Sequence, residues 1–273
     1  MLWKEILAFL EAEMVTPKPY GVFHLLWLGL TIAVIVFLCF VRKKHSEKRL
    51  KWILGIYGVV AFILEVLKQL IWSVEYNKGL SSFVWDYQWY AAPFQLCTMP
   101  IYVCLICLFL NKCKIRDALL AFVAYTTILG SIASAIIPDQ LFVPEILINV
   151  HAMFLHLGSL VVSVYLLLSG EVKINIKSLF RGFIVFLIVV VIANILNIVI
   201  YNSEFLNGET FNMLYISPYF ESTLPVFNSI YNNVPYILFV ALYIVALSLG
   251  SYIIFIIAKG ISKISCKTLN NGN

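Results

Sequence analysis

The fold is decided by residues 21–51, which read GVFHLLWLGLTIAVIVFLCFVRKKHSEKRLK. The first part, 21–41, is as long as the roughly 20 apolar residues that a membrane-spanning helix needs. The second part, 42–51, carries six lysine or arginine side chains. A basic cluster beside an apolar span stays on the cytoplasmic side of a membrane. The stretch therefore predicts one transmembrane helix that ends in a cytoplasmic loop.

The composition of the whole chain extends this prediction. Of its 273 residues, 62% are hydrophobic and 12% are charged, and the mean hydropathy is +0.95. Soluble domains carry about 25% charged residues, so the composition excludes a soluble domain as well as a disordered chain. Apolar stretches long enough to span a bilayer occur at seven places: 21–41, 52–72, 93–111, 117–137, 147–168, 181–201 and 235–258.

Charge is distributed unevenly among the connections between these stretches. Basic residues concentrate in the connections 42–51, 111–117 and 169–181 and in the tail 259–273. The opposite connections carry mainly acidic side chains, with Lys78 as their basic residue. Since basic connections remain cytoplasmic, the N-terminus is predicted outside and the C-terminus inside, which requires an odd number of spans. The prediction is an all-α, polytopic membrane protein with seven transmembrane helices.

The same pattern of apolar spans and basic connections divides the chain into three parts. Residues 1–20 are expected to form an interfacial helix and a turn, because Trp3, Ile6 and Leu10 recur at helical spacing before Pro17. Residues 21–258 are the seven-helix membrane domain, and 259–273 are a basic cytoplasmic tail.

Polar side chains within the spans share one depth. Ionisable groups inside a membrane are costly, so each is a candidate for function. From the predicted topology, Glu65 lies roughly 10 Å and His156 roughly 13 Å below the outer boundary, at 1.5 Å per helical residue. The outer halves of the spans thus suggest a polar cavity that opens towards the outer leaflet. Its candidate members are Glu65, Lys68, Gln95, Cys97, His151, His156, Asn194 and Asn197.

Each of these residues also has a structural interpretation. Glu65 and Lys68 are spaced to form a mutually neutralising pair. The asparagines could hold neighbouring helices together, and His151 could be solvated near the interface. His156 could make a structural hydrogen bond, and these alternatives stay open.

Cys97 suggests covalent chemistry. It lies near a predicted helix start, where the positive end of the helix dipole favours a thiolate. A histidine on a facing helix would complete a nucleophile–base pair, the minimum for acyl transfer through a thioester. The sequence has no phosphate-binding loop, His-Glu-x-x-His motif or nucleophile elbow, so no metal and no cofactor are predicted. The basic loops would face anionic lipid, and nothing favours nucleic acid.

Several short motifs resemble the YwaF-like family of bacterial integral membrane proteins, relatives of the transmembrane protein 164 acyltransferase. They are Leu64–Trp72, Pro93–Cys97, Pro138–Asp139, His151, His156, Asn212–Tyr215 and Pro235–Tyr236. The resemblance implies a lipid acyltransferase with Cys97 as nucleophile and His156 as base. Gln95 stands where many members have a histidine, so it cannot act as a base here.

The resulting prediction is a multispanning enzyme of a bacterial cell membrane that moves a fatty acyl group between membrane lipids. Asn194, Asn197 or Gln95 would steady the oxyanion, and Glu65 and Lys68 would shape the field of the cavity. The alternatives are a small-solute transporter, possibly proton-coupled, and a non-catalytic membrane scaffold.

Overall fold

A computed structural model describes residues 5, 8–41, 45–77, 82–138 and 141–270, and all of their side chains except those of 75–77 and 264–270. Most of these residues are helical. Its helices are α1 (Val22–Val41), α2 (Glu47–Ser73), α3 (Met99–Phe109), α4 (Lys114–Ile136), α5 (Ile146–Leu168), α6 (Ile176–Tyr201), α7 (Phe227–Tyr231) and α8 (Tyr236–Asn270). A hairpin of β1 (Val74–Asn77) and β2 (Ser82–Trp85) follows α2.

Among the described residues, six helices are long and apolar enough to cross a membrane: α1, α2, α4, α5, α6 and α8. α2 and α6 begin at Glu47 and Ile176, earlier than the predicted 52 and 181. Ser46 and Asn175 explain this, because each accepts a hydrogen bond from a backbone N–H of the first turn. Polar caps extend these helices into residues that a hydropathy window leaves out.

The third predicted span, 93–111, differs most from its prediction. Regular helix begins at Met99 and ends at Phe109, which is too short by itself for a bilayer. Residues 93–98 form a turn, since the Thr98 hydroxyl accepts from the Gln95 N–H at 3.0 Å and lies 3.1 Å from the Pro93 carbonyl. Pro100 in the first helical turn also suits a helix start. Cys97 is therefore in a turn before α3, rather than inside a helix.

One end of the bundle, termed the Glu65 end, gathers the described parts of three connections, 73–77 with 82–98, 137–138 with 141–145, and 202–235. Trp89 N–H donates to Glu209 at 2.7 Å, and Gln95 Nε2 donates to the Asn212 carbonyl at 3.0 Å. The N-terminal segment joins them through Met14, whose N–H donates to the Pro144 carbonyl at 2.8 Å. Residues 8–10 are helical, whereas Trp3, Ile6 and Leu7 of the predicted interfacial helix lie outside the described residues.

At the opposite end, termed the Arg116 end, ion pairs of the buried Arg116 side chain join separate parts of the chain. Arg116 is 1% exposed and bonds both oxygens of Glu47, at 2.6 and 2.9 Å, and Glu171 at 3.0 Å. His45 lies 3.3 Å from the second oxygen of Glu171 and 3.0 Å from the Tyr165 hydroxyl. One arginine thus links the starts of α2 and α4 to the connection after α5.

Close packing of α4 against α6 depends on Gly182. A Cβ at this position would lie 2.9 Å from the backbone of Ala121 and Phe122. Small residues permit such close approach between membrane helices. We expect Gly182→Ala to lower the free energy of unfolding in detergent by about 1–3 kcal/mol, because the obstructing atoms are backbone.

Gly130 is the matched control for this substitution. It lies in α4 with no described atom within 4 Å of an added Cβ. Gly130→Ala is expected to be neutral or to add up to about 1 kcal/mol through helix propensity. Equal stability of the two alanine variants would show that the α4–α6 contact is not tight at Gly182.

Candidate active site

Glu65 is the centre of a buried polar cluster near the Glu65 end of α2. Its carboxylate is 4% exposed and contacts three side chains. Lys68 Nζ lies 2.6 Å from Oε1, Gln69 Nε2 donates to Oε1 at 2.9 Å, and His151 Nε2 lies 2.9 Å from Oε2. The spacing of three and four residues puts Lys68 and Gln69 on the face of Glu65. The carboxylate is therefore neutralised within its own helix and bonded to α5.

Lys68 is also buried, at 8% exposure, and has contacts besides the ion pair. Its ammonium donates to the Ala91 carbonyl at 3.2 Å and lies 5.4 Å from the centroid of the Trp72 ring. Gln69 Nε2 donates to the same carbonyl at 2.8 Å. The turn that ends at Ala91 therefore closes over the cluster. The pairing of Glu65 with Lys68 that the sequence suggested is confirmed.

His151 is part of this cluster and is not solvated. It is 5% exposed, and its ring nitrogen bonds Glu65 across the α2–α5 interface. A carboxylate that bonds one ring nitrogen of a histidine holds the imidazole ring in one orientation. The alternative that His151 is an interfacial, solvated side chain is therefore wrong.

Cys97 lies beside the cluster in the turn that precedes α3. The residue is half-buried, and the charges of Lys68 and Glu65 both act on its thiol. A loop cysteine beside fixed charges can approach a substrate more closely than one enclosed in a helix. The two cysteines of α3, Cys104 and Cys107, are instead fully buried among apolar side chains.

His156 lies five residues after His151 on α5, about 7.5 Å farther along the helix at 1.5 Å per residue. It is 8% exposed, and its Nδ1 is buried without a hydrogen-bond partner among the described residues. Within that part of the chain, no hydrogen bond joins His156 to Cys97. The structure thus brings Glu65, Lys68 and His151 together, with Cys97 adjacent and His156 deeper.

The predicted amides hold the connection 202–235 against the bundle. Asn197 Oδ1 accepts from the Met213 N–H at 2.7 Å, and its Nδ2 donates to the Met213 carbonyl at 3.1 Å. Asn194 Oδ1 accepts from the Tyr236 hydroxyl. Gln95 donates to the carbonyl of the preceding residue of the connection, Asn212, and its Oε1 has no partner among the described residues.

Tyr215 is a site residue that sequence reasoning did not select. It follows Leu214, and both have positive φ, at 54° for Leu214 and 59° for Tyr215. Non-glycine residues in this region are strained and persist only where the surroundings hold them. Here Asn197 and Gln95 hold the preceding backbone at Met213 and Asn212, and the Gln95 bond ties this segment to the turn that carries Cys97. The available signal was the resemblance of 212–215 to a family motif.

Metal binding is not supported by the donor set. Among the residues that the structure describes, no group of three or more His, Cys, Asp and Glu side chains could hold a metal ion. At the cluster centre, an ammonium group already occupies one side of the Glu65 carboxylate.

Six long apolar helices with a buried charged cluster near one end define a polytopic helical membrane protein. The model of the TMEM164 family matches residues 19–258, and the chain belongs to this family. No curated protein and no solved structure matches the chain.

Proposed function

We propose that the protein is a lipid acyltransferase that uses Cys97 as its nucleophile and His156 as its general base. The observation that carries the proposal is the Cys97 thiol, half-buried in a turn beside a closed charge cluster within a membrane-embedded bundle. The resemblance to the family of the transmembrane protein 164 acyltransferase supports the same chemistry. The substrates would be membrane lipids, and the reaction requires no cofactor.

We also propose seven crossings of a bacterial cell membrane, with the N-terminus outside. α3 and the turn 93–98 together would make the third crossing, because they connect the Glu65 end to the Arg116 end. Leu110, just after α3, already accepts a hydrogen bond from Arg116 at 3.4 Å. The basic connections then lie on one side, at the Arg116 end, as the positive-inside rule requires. The Glu65 end would face the outer leaflet.

The reaction would have two transfers. In the first, His156 accepts the thiol proton, and Cys97 sulfur attacks the ester carbonyl of a phospholipid. The ester C–O bond breaks, a thioester forms, and the leaving lysolipid oxygen takes the proton from the imidazolium. In the second, the hydroxyl of an acceptor lipid attacks the thioester, and its proton returns to the thiol through His156.

No hydrogen bond joins Cys97 to His156 among the described residues, so this mechanism needs a path for the proton between them. The proton must pass through one bridging water, or the two groups must approach when a lipid binds, since catalytic hydrogen bonds often tighten only in the substrate complex. The free Nδ1 of His156 is compatible with either route.

The oxyanion role would fall to Gln95 among the three predicted amides. Both polar atoms of Asn197 are bonded to the Met213 backbone, and Asn194 Oδ1 is bonded to Tyr236. Gln95 is two residues before Cys97 and retains a second amide hydrogen for a developing negative charge. Glu65 and Lys68 would hold the turn around the nucleophile and supply its local field.

Intact-protein mass spectrometry tests this proposal. Purified protein incubated with a defined phospholipid should gain one acyl mass that hydroxylamine removes. Cys97→Ala should lack the adduct and all lipid transfer, because the thioester has no alternative sulfur there. Cys39→Ala is the matched control, since Cys39 is an exposed cysteine of α1, and should behave as the unmodified protein does.

Two results would contradict the proposal. The first is an undiminished adduct or transfer rate in Cys97→Ala. The second is the absence of both adduct and lipid change in the unmodified protein, which would favour transport or scaffolding. Lipid transfer without an accumulated adduct, but dependent on Cys97, would still support the nucleophile and indicate rapid deacylation.

A further inference from the structure

An apolar groove runs along the side of the bundle between α1, α2 and α5. It has a cavity volume of about 310 Å³. Leu30 and Val34 of α1, Ile56 of α2 and Val161 of α5 are among its lining residues. Leu30 and Ile56 are 56% and 58% exposed, so the groove opens sideways towards the hydrocarbon of the bilayer.

Tyr57 forms the floor of this groove against Gly158. A Cβ at Gly158 would lie 2.9 Å from the Tyr57 ring, so the glycine is what lets the ring lie flat on α5. The ring stacks on Phe154 with a centroid distance of 5.9 Å. The Tyr57 hydroxyl donates to the Leu155 carbonyl at 3.1 Å, and the Thr31 hydroxyl donates to Trp27 at 2.8 Å. With both hydroxyls donating within the protein, the groove offers an incoming group mainly apolar contact.

Helices α2 and α5 connect the groove to the candidate site. Phe154 and Leu157, which lie on either side of His156 in the chain, line the groove from α5, and Tyr57 lines it from α2. Tyr57 lies eight residues before Glu65 on the same buried face of α2, about 12 Å farther from the Glu65 end. A lipid whose ester lay at the level of Glu65 would direct its chain the same way, from the Glu65 end into the bundle.

The groove is long enough for much of an acyl chain. Its lining on α1 extends from Trp27 to Leu38, which is about 16 Å at 1.5 Å per residue. It starts in the half of α1 nearer the Glu65 end and continues past the middle of this helix. The lining also fits a chain better than a helix, because helix interfaces in membranes need small residues. Gly158 is the small residue of this lining, and Tyr57 covers it.

We propose that this groove binds the acyl chain of the lipid whose ester Cys97 attacks, and that the groove selects chain length. This inference rests on the proposed acyltransferase function and names its specificity site. Chain selection follows from shape and not from hydrophobicity, because lipid tails outside the groove are equally apolar.

Competition between phospholipids with long and short acyl chains tests the inference. Val34→Trp places a large ring in the groove, and Val36→Trp places the same ring on the lipid-facing side of α1, where Val36 is 47% exposed. The ratio of long to short chains on the Cys97 thioester, or in the product, should fall about tenfold or more in Val34→Trp, the factor expected from overpacking an apolar site. Val36→Trp should leave the ratio unchanged.

The outcomes separate the two proposals. An adduct on Cys97 with an unchanged ratio in Val34→Trp would overturn the groove assignment and leave the acyltransferase standing. Complete absence of Cys97 acylation and lipid transfer in the unmodified protein would overturn both.

A second measurement does not depend on turnover or on the stability of a variant. A phosphatidylcholine with a photoreactive group at its chain end should label the groove-lining segments of α1 and α5 in the unmodified protein more heavily than the exposed face of α6. Uniform labelling around the bundle would overturn the inference. So would a dimer that Val34→Trp dissociates and Val36→Trp does not, since a second copy would then occupy the groove.

Discussion

Replacing Glu65 with alanine is expected to lower the free energy of unfolding by about 3–5 kcal/mol, the cost of removing one partner from a buried ion pair. The Lys68 ammonium would remain buried with the Ala91 carbonyl as its polar contact. The His151 ring and the Gln69 amide would lose their shared acceptor at the same time. Unfolding in detergent micelles, followed by denaturant titration or thermal melting, measures the loss.

Two further variants separate charge from contact. Glu65→Gln keeps the volume and an acceptor oxygen but leaves Lys68 without a counter-charge, so its stability should fall nearly as far. The double variant Glu65→Gln with Lys68→Met removes both charges and should recover most of the loss, because a buried pair can often be replaced by neutral groups of similar size. Wild-type stability of Glu65→Ala would mean that water, and not Glu65, satisfies Lys68.

Six of the seven predicted spans match long apolar helices among the described residues, because hydropathy is local in sequence. The Glu65–Lys68 pair was predictable for the same reason, since helical spacing places the two residues together. The bond from Glu65 to His151 crosses 86 positions of the chain. The sequence reasoning limited these two residues to one depth, but it could not select His151 over His156 as the partner.

The turn before α3 illustrates what a hydropathy pattern misses. Residues 93–98 are apolar enough to extend the span, yet the Thr98 hydroxyl and Pro93 divert the backbone. The distant contact from Gln95 to Asn212 then holds the turn, which a local window cannot detect. The turn that carries Cys97 therefore depends on tertiary contacts.

Arg116 shows the limit of the charge argument. It lies in the basic connection 111–117, which was used to predict the topology, and its side chain is 1% exposed. Glu47 and Glu171 supply two neutralising carboxylates from separate connections. The net charge of a connection thus predicts its side of the membrane, whereas ion pairs between connections determine which charged side chains are buried.

His156→Gln is expected to slow acyl transfer by about 10²–10⁴-fold, the usual contribution of a general base, with little change in stability. Its Nδ1 has no partner among the described residues, so the substitution leaves no known hydrogen-bonding group unpaired. His151→Gln should show the opposite pattern, because it removes a bond to the buried Glu65 carboxylate and should cost about 1–3 kcal/mol in stability. Its transfer rate should change less than that of His156→Gln.

The two substitutions are matched because they change the same residue type on the same helix, five positions apart. Single-turnover acylation of Cys97, followed by mass spectrometry, measures the chemical step, and melting in the same detergent measures stability. If His151→Gln instead lost the rate and His156→Gln retained it, the base would be the histidine that Glu65 orients. The nucleophile would then act with a carboxylate-bonded base, and the closed charge cluster would itself be the catalytic centre.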